Sequence, residues 1–215
     1  MVKQERATRT RRALIQAAAE VFAEEGFVPA SLSAISRRAG VSNGALHFHF
    51  ASKRMLAQAV EAEAAEALRR ITEAAWAGQG NCLQRVVDAT HELMGLLARD
   101  VVVRSGFELA ADLVCRTDPA LRGHSLRGQW QRWVEETLRS AERSGTLAKG
   151  VSWTDGACVI VAATTGFEVL GGADASWLSR RNITRFWEVL LPRLADGPSL
   201  EAVVCAGSRP PAASV

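Results

Sequence analysis

The 215-residue sequence predicts an all-α protein: an N-terminal three-helix unit containing a helix-turn-helix, followed by a larger helical region. Three observations predict it. Apolar residues recur at helical spacing along the chain, while alternating β-branched runs are missing and Tyr is absent. Serines and glycines fall where the periodic stretches begin and end. Positive charge gathers at one end. Residues 1–54 hold nine Lys or Arg against four Glu, a balance of +5 in a chain whose net charge is +3, so the remainder is mildly acidic. A small basic segment joined to a larger acidic one marks an end that faces a polyanion.

Composition narrows the class further. At 48% hydrophobic and 23% charged residues the chain can bury a core. No apolar run approaches the roughly 18 residues of a membrane span. The opening MVKQERATRTRR lacks the apolar centre of a secretory signal. A cytoplasmic protein with no membrane partner is therefore expected. Cys82, Cys115, Cys158 and Cys205 lie far apart with no CxxC pair, which predicts incidental thiols rather than disulfides or structural zinc. Nothing supports a redox role for Cys115, and no cofactor is expected.

The elements follow in order. Leu14, Ile15, Ala18, Val21 and Phe22 form one apolar stripe, predicting a helix over about Thr8 to Glu25 that Gly26 stops. Ser31 caps a short second helix with Leu32, Ile35 and Ala39, and Gly40 ends it. Ala34 stands where an acidic capping-box partner would sit. Ser42 caps a third short helix over 43–50, and Ser52 a long fourth from Lys53 to about Trp76. Residues 32–50 thus read helix, turn, helix. Further helices are expected at about 82–99, 101–115, 125–144, 154–171 and 176–194. The stretch 116–127 is irregular and predicts a loop. The division expected is a helix-turn-helix unit over 1–52, a larger helical region over 53–195, and a flexible tail over 196–215.

The stretch VSNGALHFHF, residues 41–50, carries the chemistry. Its two histidines do not suit a metal, because His47 and His49 lie about 200° apart around a helix and chelation on one face needs i, i+3 or i, i+4 spacing. No carboxylate, serine or cysteine is placed to make them catalytic, so no enzyme is expected. On a helical wheel Leu46, His49 and Phe50 turn one way. Asn43, Gly44 and His47 turn the other, with Phe48 at the margin. The second face offers an amide that can pair with a base edge, a bare backbone and an imidazole. Ser42 and His47 suit phosphate contacts.

At these residues a resemblance is plain. SLSAISRRAGVSNGALHFHFASKRML resembles the DNA-binding signature of TetR-family transcriptional repressors, over about residues 10–56. The resemblance implies a homodimer, double-stranded operator DNA as partner, and DNA contacts from Arg11, Ser42, Asn43, Gly44, His47, Phe48 and Lys53. Two positions depart from the pattern: His47 stands where Tyr is usual, and Asn43 where a longer residue is common.

Downstream, VVVRSGFELA, Trp130 and TTGFEVLGG are similar to the γ-butyrolactone receptor branch, whose members sense small lactones or furans in antibiotic-producing bacteria; some relatives bind antibiotics or no lactone. That similarity implies a ligand pocket at Trp130. Phe107, Thr164 and Thr165 join it as apolar and hydroxyl groups suited to such a cavity. The apolar helices 154–171 and 176–194 are expected to form the dimer interface. A rival is a repressor of the same fold that binds no small ligand.

Overall fold

A computed structural model describes residues 2–117 and 125–208, with side chains from Gln4 to Ala110 and from Ser125 to Ser208. Among these residues the chain is helical and forms no strand; Leu147 and Ala195 make an isolated antiparallel bridge. The helices are α1 (Val2–Glu25), α2 (Leu32–Arg38), α3 (Asn43–His49), α4 (Lys53–Ala77), α5 (Cys82–Arg99), α6 (Val101–Thr117), α7 (Leu126–Arg143), α8 (Trp153–Ala173), α9 (Arg180–Leu194) and α10 (Gly197–Glu201). Most of the loop expected at 116–127 and the end of the tail lie outside the described residues, as does the Cys115 side chain.

The chain divides into two compact units, Met1–Ala67 with Asp100–Leu126, and Leu68–Arg99 with Arg127–Val215. In the first, α1 packs on α2 and α6, and α2 packs on α3. The apolar stripe of α1 supplies its core: Leu14, Ile15, Ala18, Val21 and Phe22 pack with Ile35, Leu46, Phe50, Leu56 and Val60, all buried. Helix α6 crosses α4 closely. A Cβ on Gly106 would lie 2.5 Å from that of Ala64, so only glycine fits. In the second unit α5 packs on α8 and α9 around Leu93, Met94, Ile160, Ile183 and Trp187.

Two expectations are corrected. The helix expected over 176–194 is two elements. Ala175–Leu178 is a 3₁₀ turn capped by Asp174, and Ser179 then caps α9 by accepting from the Asn182 amide. The flexible tail expected from residue 196 is held as far as Ser208. Asp196 caps α10, and the segment beyond it bonds back to α5. Gln84 pairs with both backbone groups of Val204, His91 meets the Cys205 carbonyl at 2.9 Å, and Asp88 accepts from Ser208. Helix α8 is long and apolar enough to cross a membrane by length and composition alone, with mean hydropathy 1.5. Asp155 and Glu168 interrupt its apolar run, and two of its polar side chains, Thr164 and Glu168, bond to α7.

Candidate nucleic-acid interface

Local capping builds the helix-turn-helix. Ser31 accepts from the Ala34 amide and Ser42 from the Ala45 amide, each at 3.1 Å, so each short helix starts where a serine stops an orphan N–H. Gly40 takes φ +67° in the turn, which an L side chain rarely adopts. Behind it the Val41 amide donates to Ser36 O, closing the turn. Arg38 braces α2 against α1 with a two-pronged bond to Glu24, at 2.8 and 2.6 Å, and a longer contact to Glu20. The Arg38 guanidinium holds the Glu24 carboxyl below the usual carboxylate range.

This frame presents one face of α3. Leu46 and Phe50 are buried, whereas Asn43, Gly44, His47 and Phe48 are exposed, Phe48 at 83%. Helices α1 and α2 add exposed Arg6, Arg9, Arg11, Arg12 and Arg37. Arg11 lies over the Phe50 ring at 5.3 Å, which places its charge beside the end of α3.

Lys53 takes a different place from a phosphate contact. Its ammonium donates to the carbonyls of Val28 and Ala30, both at 2.8 Å, and lies over the Phe27 ring. Two of its three donors thus pin the loop between α1 and α2. Sequence reasoning missed this because the partners are backbone groups more than twenty positions away. It also missed the bond from Ser36 to Asn43.

The ligand candidates are only partly brought together. Trp130 is buried on α7, and its indole N–H donates to Thr164 Oγ1 at 2.9 Å; that hydroxyl in turn donates to Ile160 O on its own helix. Thr165 is half-buried beside it, and Phe107 is buried on α6 in the first unit. One turn before Trp130, Arg127 makes a two-pronged bond to Glu168, at 2.8 and 2.9 Å, giving that carboxylate the partner the sequence could not name. The second unit also holds a cavity of about 360 Å³, lined by residues including Ile71, Asp88, His91, Glu92, Arg180 and Ser208; none of the four ligand candidates lines it. Burial holds the His91 imidazole below its ordinary value; the Cys205 carbonyl opposes this, Arg180 reinforces it and Asp88 opposes it. Among the described residues no cluster of three or more His, Cys, Asp or Glu is placed to hold a metal.

A braced helix-turn-helix with a basic first helix and a solvent-facing third helix defines a DNA-binding regulator. Residues 14–60 match the family model for bacterial regulatory proteins of the tetR family. The A-factor receptor protein of Streptomyces griseus is 32% identical over 199 residues, covering 91% of this chain and 67% of the relative. A crystal structure of a gamma-butyrolactone receptor (ArpA-like protein) superposes with a TM-score of 0.78 at 26% identity, covering 94% of this chain and 96% of that one. CprB from Streptomyces coelicolor, solved in complex with its biological operator sequence, superposes with a TM-score of 0.75 at 26% identity, covering 91% and 93%. The chain belongs to the TetR family of transcriptional regulators, and it resembles the γ-butyrolactone receptors along nearly its whole length.

Proposed function

We propose that the protein is a ligand-responsive repressor that binds palindromic operator DNA as a cytoplasmic homodimer and is released by a small molecule of γ-butyrolactone or furan type, or by an antibiotic. The observation that carries the DNA half is the exposed face of α3, where Asn43, Gly44, His47 and Phe48 stand clear of a buried Leu46. In this reading residues 1–52 bind DNA, with Ser42 and His47 on phosphates, Asn43 and Gly44 at base edges, and Arg11 with its neighbours neutralising phosphates. Lys53 then acts chiefly by holding the loop behind the interface. Two-fold operators require two copies of α3 about one duplex turn apart. The apolar faces of α8 and α9 support that dimer: Val159, Val169, Leu170 and Val189 are 44–78% exposed in one chain.

Residues 53–195 carry the ligand half. A lactone or furan beside Trp130, within reach of Thr164 and Thr165, shifts α4, the helix that runs from the first unit into the second. A near-complete switch requires the ligand to prefer the released state by about 10⁴-fold. A specific observation favours a second reading, a repressor without a small ligand. The Trp130 N–H is already taken by Thr164, and the 360 Å³ cavity lies at other residues. The experiment that separates them selects bound duplexes from a random library and titrates the winner with lactones, furans and antibiotics. Release by one compound supports the first reading, a palindrome that none releases supports the second, and no enriched sequence contradicts both.

A further inference from the structure

We propose that Ser36 decides which base Asn43 reads, and that the base is guanine. The inference rests on the reading of α3 as the operator-reading helix. Ser36 is buried on α2 at 4% exposure, and Asn43 opens α3 at the surface. Ser36 Oγ lies 2.5 Å from Asn43 Oδ1 and 3.1 Å from the Ser33 carbonyl. A hydroxyl has one hydrogen to give. Asn43 Oδ1 carries no hydrogen, so in this contact the Ser36 hydroxyl is the donor and the amide oxygen accepts.

The amide is thereby fixed before any DNA arrives. Its oxygen is taken up by Ser36 of α2, which leaves the NH₂ group of this exposed residue to meet DNA. That group offers two donors and no acceptor. Adenine presents an acceptor beside a donor in the major groove, and asparagine matches that pair only with oxygen and nitrogen both outward. Guanine presents two adjacent acceptors, N7 and O6, whereas adenine N7 and thymine O4 each stand alone as acceptors. A donor-only asparagine therefore fits guanine best. Because the buried serine holds the rotamer, binding spends little conformational freedom on this side chain.

The test selects bound sequences from a random duplex library with the full-length protein and with Asn43→Ala, Ser36→Ala and Asn43→Asp. Asn43→Ala identifies the base position that depends on residue 43. The expected result is guanine there with the unsubstituted protein, by about tenfold in competition. Ser36→Ala frees the amide to turn and admits adenine. Asn43→Asp keeps the Ser36 bond with one oxygen and presents the other to a cytosine amino group, so the preference moves to cytosine. A carboxylate in the first turn of a helix is compatible with folding, so this variant decides the matter even where Ser36→Ala folds poorly. Adenine preferred by the unsubstituted protein, guanine retained in a folded Ser36→Ala, or guanine retained in Asn43→Asp overturns the proposal. No enriched sequence from the unsubstituted protein overturns instead the operator-binding reading on which it rests.

Discussion

Helices α2 and α3 use their polar side chains in the opposite way from α7 and α8. The first pair is short, capped at each start by a serine, and, apart from the buried Ser36, holds its polar groups toward the surface over a small buried core. The second pair is long, and polar groups on its facing sides bond from one helix to the other, Trp130 to Thr164 and Arg127 to Glu168. A surface that must meet varied polar edges needs exposed donors on a rigid base. Each buried polar group left unpaired costs about 1–3 kcal/mol, a cost the Trp130 N–H and Glu168 avoid through these bonds and the buried Trp133 N–H on α7 does not. Rigidity therefore comes from packing beneath α3 and from polar rungs between α7 and α8.

The sharpest way to break this comparison is to remove the packing beneath α3. Leu46 is fully buried, and Leu46→Ala should cost about 2–5 kcal/mol. Thermal melts followed by circular dichroism should show the loss, and operator binding should disappear with it. An unchanged melt would mean that α3 is held by its caps alone.

Next in size is the exposed apolar face of α9. Val189 is 78% exposed in one chain. Val189→Glu should leave helicity intact and weaken self-association by about tenfold or more. Sedimentation velocity across a dilution series reads the result directly. A dimer of unaltered strength would move the interface elsewhere.

The polar rungs come third. Thr164→Val removes the acceptor for the buried Trp130 N–H and should destabilise by about 1–3 kcal/mol. Urea unfolding should show a lower midpoint with an unchanged slope. A neutral result would make the bond incidental to the α7–α8 layer.

The smallest effect concerns His91. Burial lowers its folded pKa below the ordinary 6.5, so the folded state favours the neutral ring. The stability this contributes is complete above about 6.5 and is lost as pH falls from there through the lower folded value. Melting temperature should therefore drop on mild acidification, and His91→Gln should lessen the drop. Equal slopes in both proteins would assign the acid sensitivity to other groups.

The same contrast explains what was legible in the sequence. The stripe from Leu14 to Phe22, the caps Ser31 and Ser42 and the turn at Gly40 are local signals, each fixed by neighbours within one or two turns. They placed α1 to α3 and the exposed face of α3. Bonds from Lys53 to Val28 and Ala30, from Arg127 to Glu168 and from Gln84 to Val204 join residues 23 to 120 positions apart. Such pairs have no period or motif, so Lys53 read as a phosphate contact and the 203–208 segment as a loose tail. Asp196 with Pro198 behind it was a readable helix start for α10.

The most direct test of operator recognition by the α3 face is fluorescence anisotropy of the selected palindromic duplex, with binding stoichiometry, over a range of salt concentrations. Two protomers per palindrome are expected. The logarithm of affinity should fall linearly with that of salt, with a slope of about −4 or steeper, as the exposed arginines neutralise phosphates. His47→Ala should weaken binding and flatten the slope only slightly. Affinity that ignores salt, or an intact complex after both Asn43 and His47 are replaced by Ala, would contradict the account.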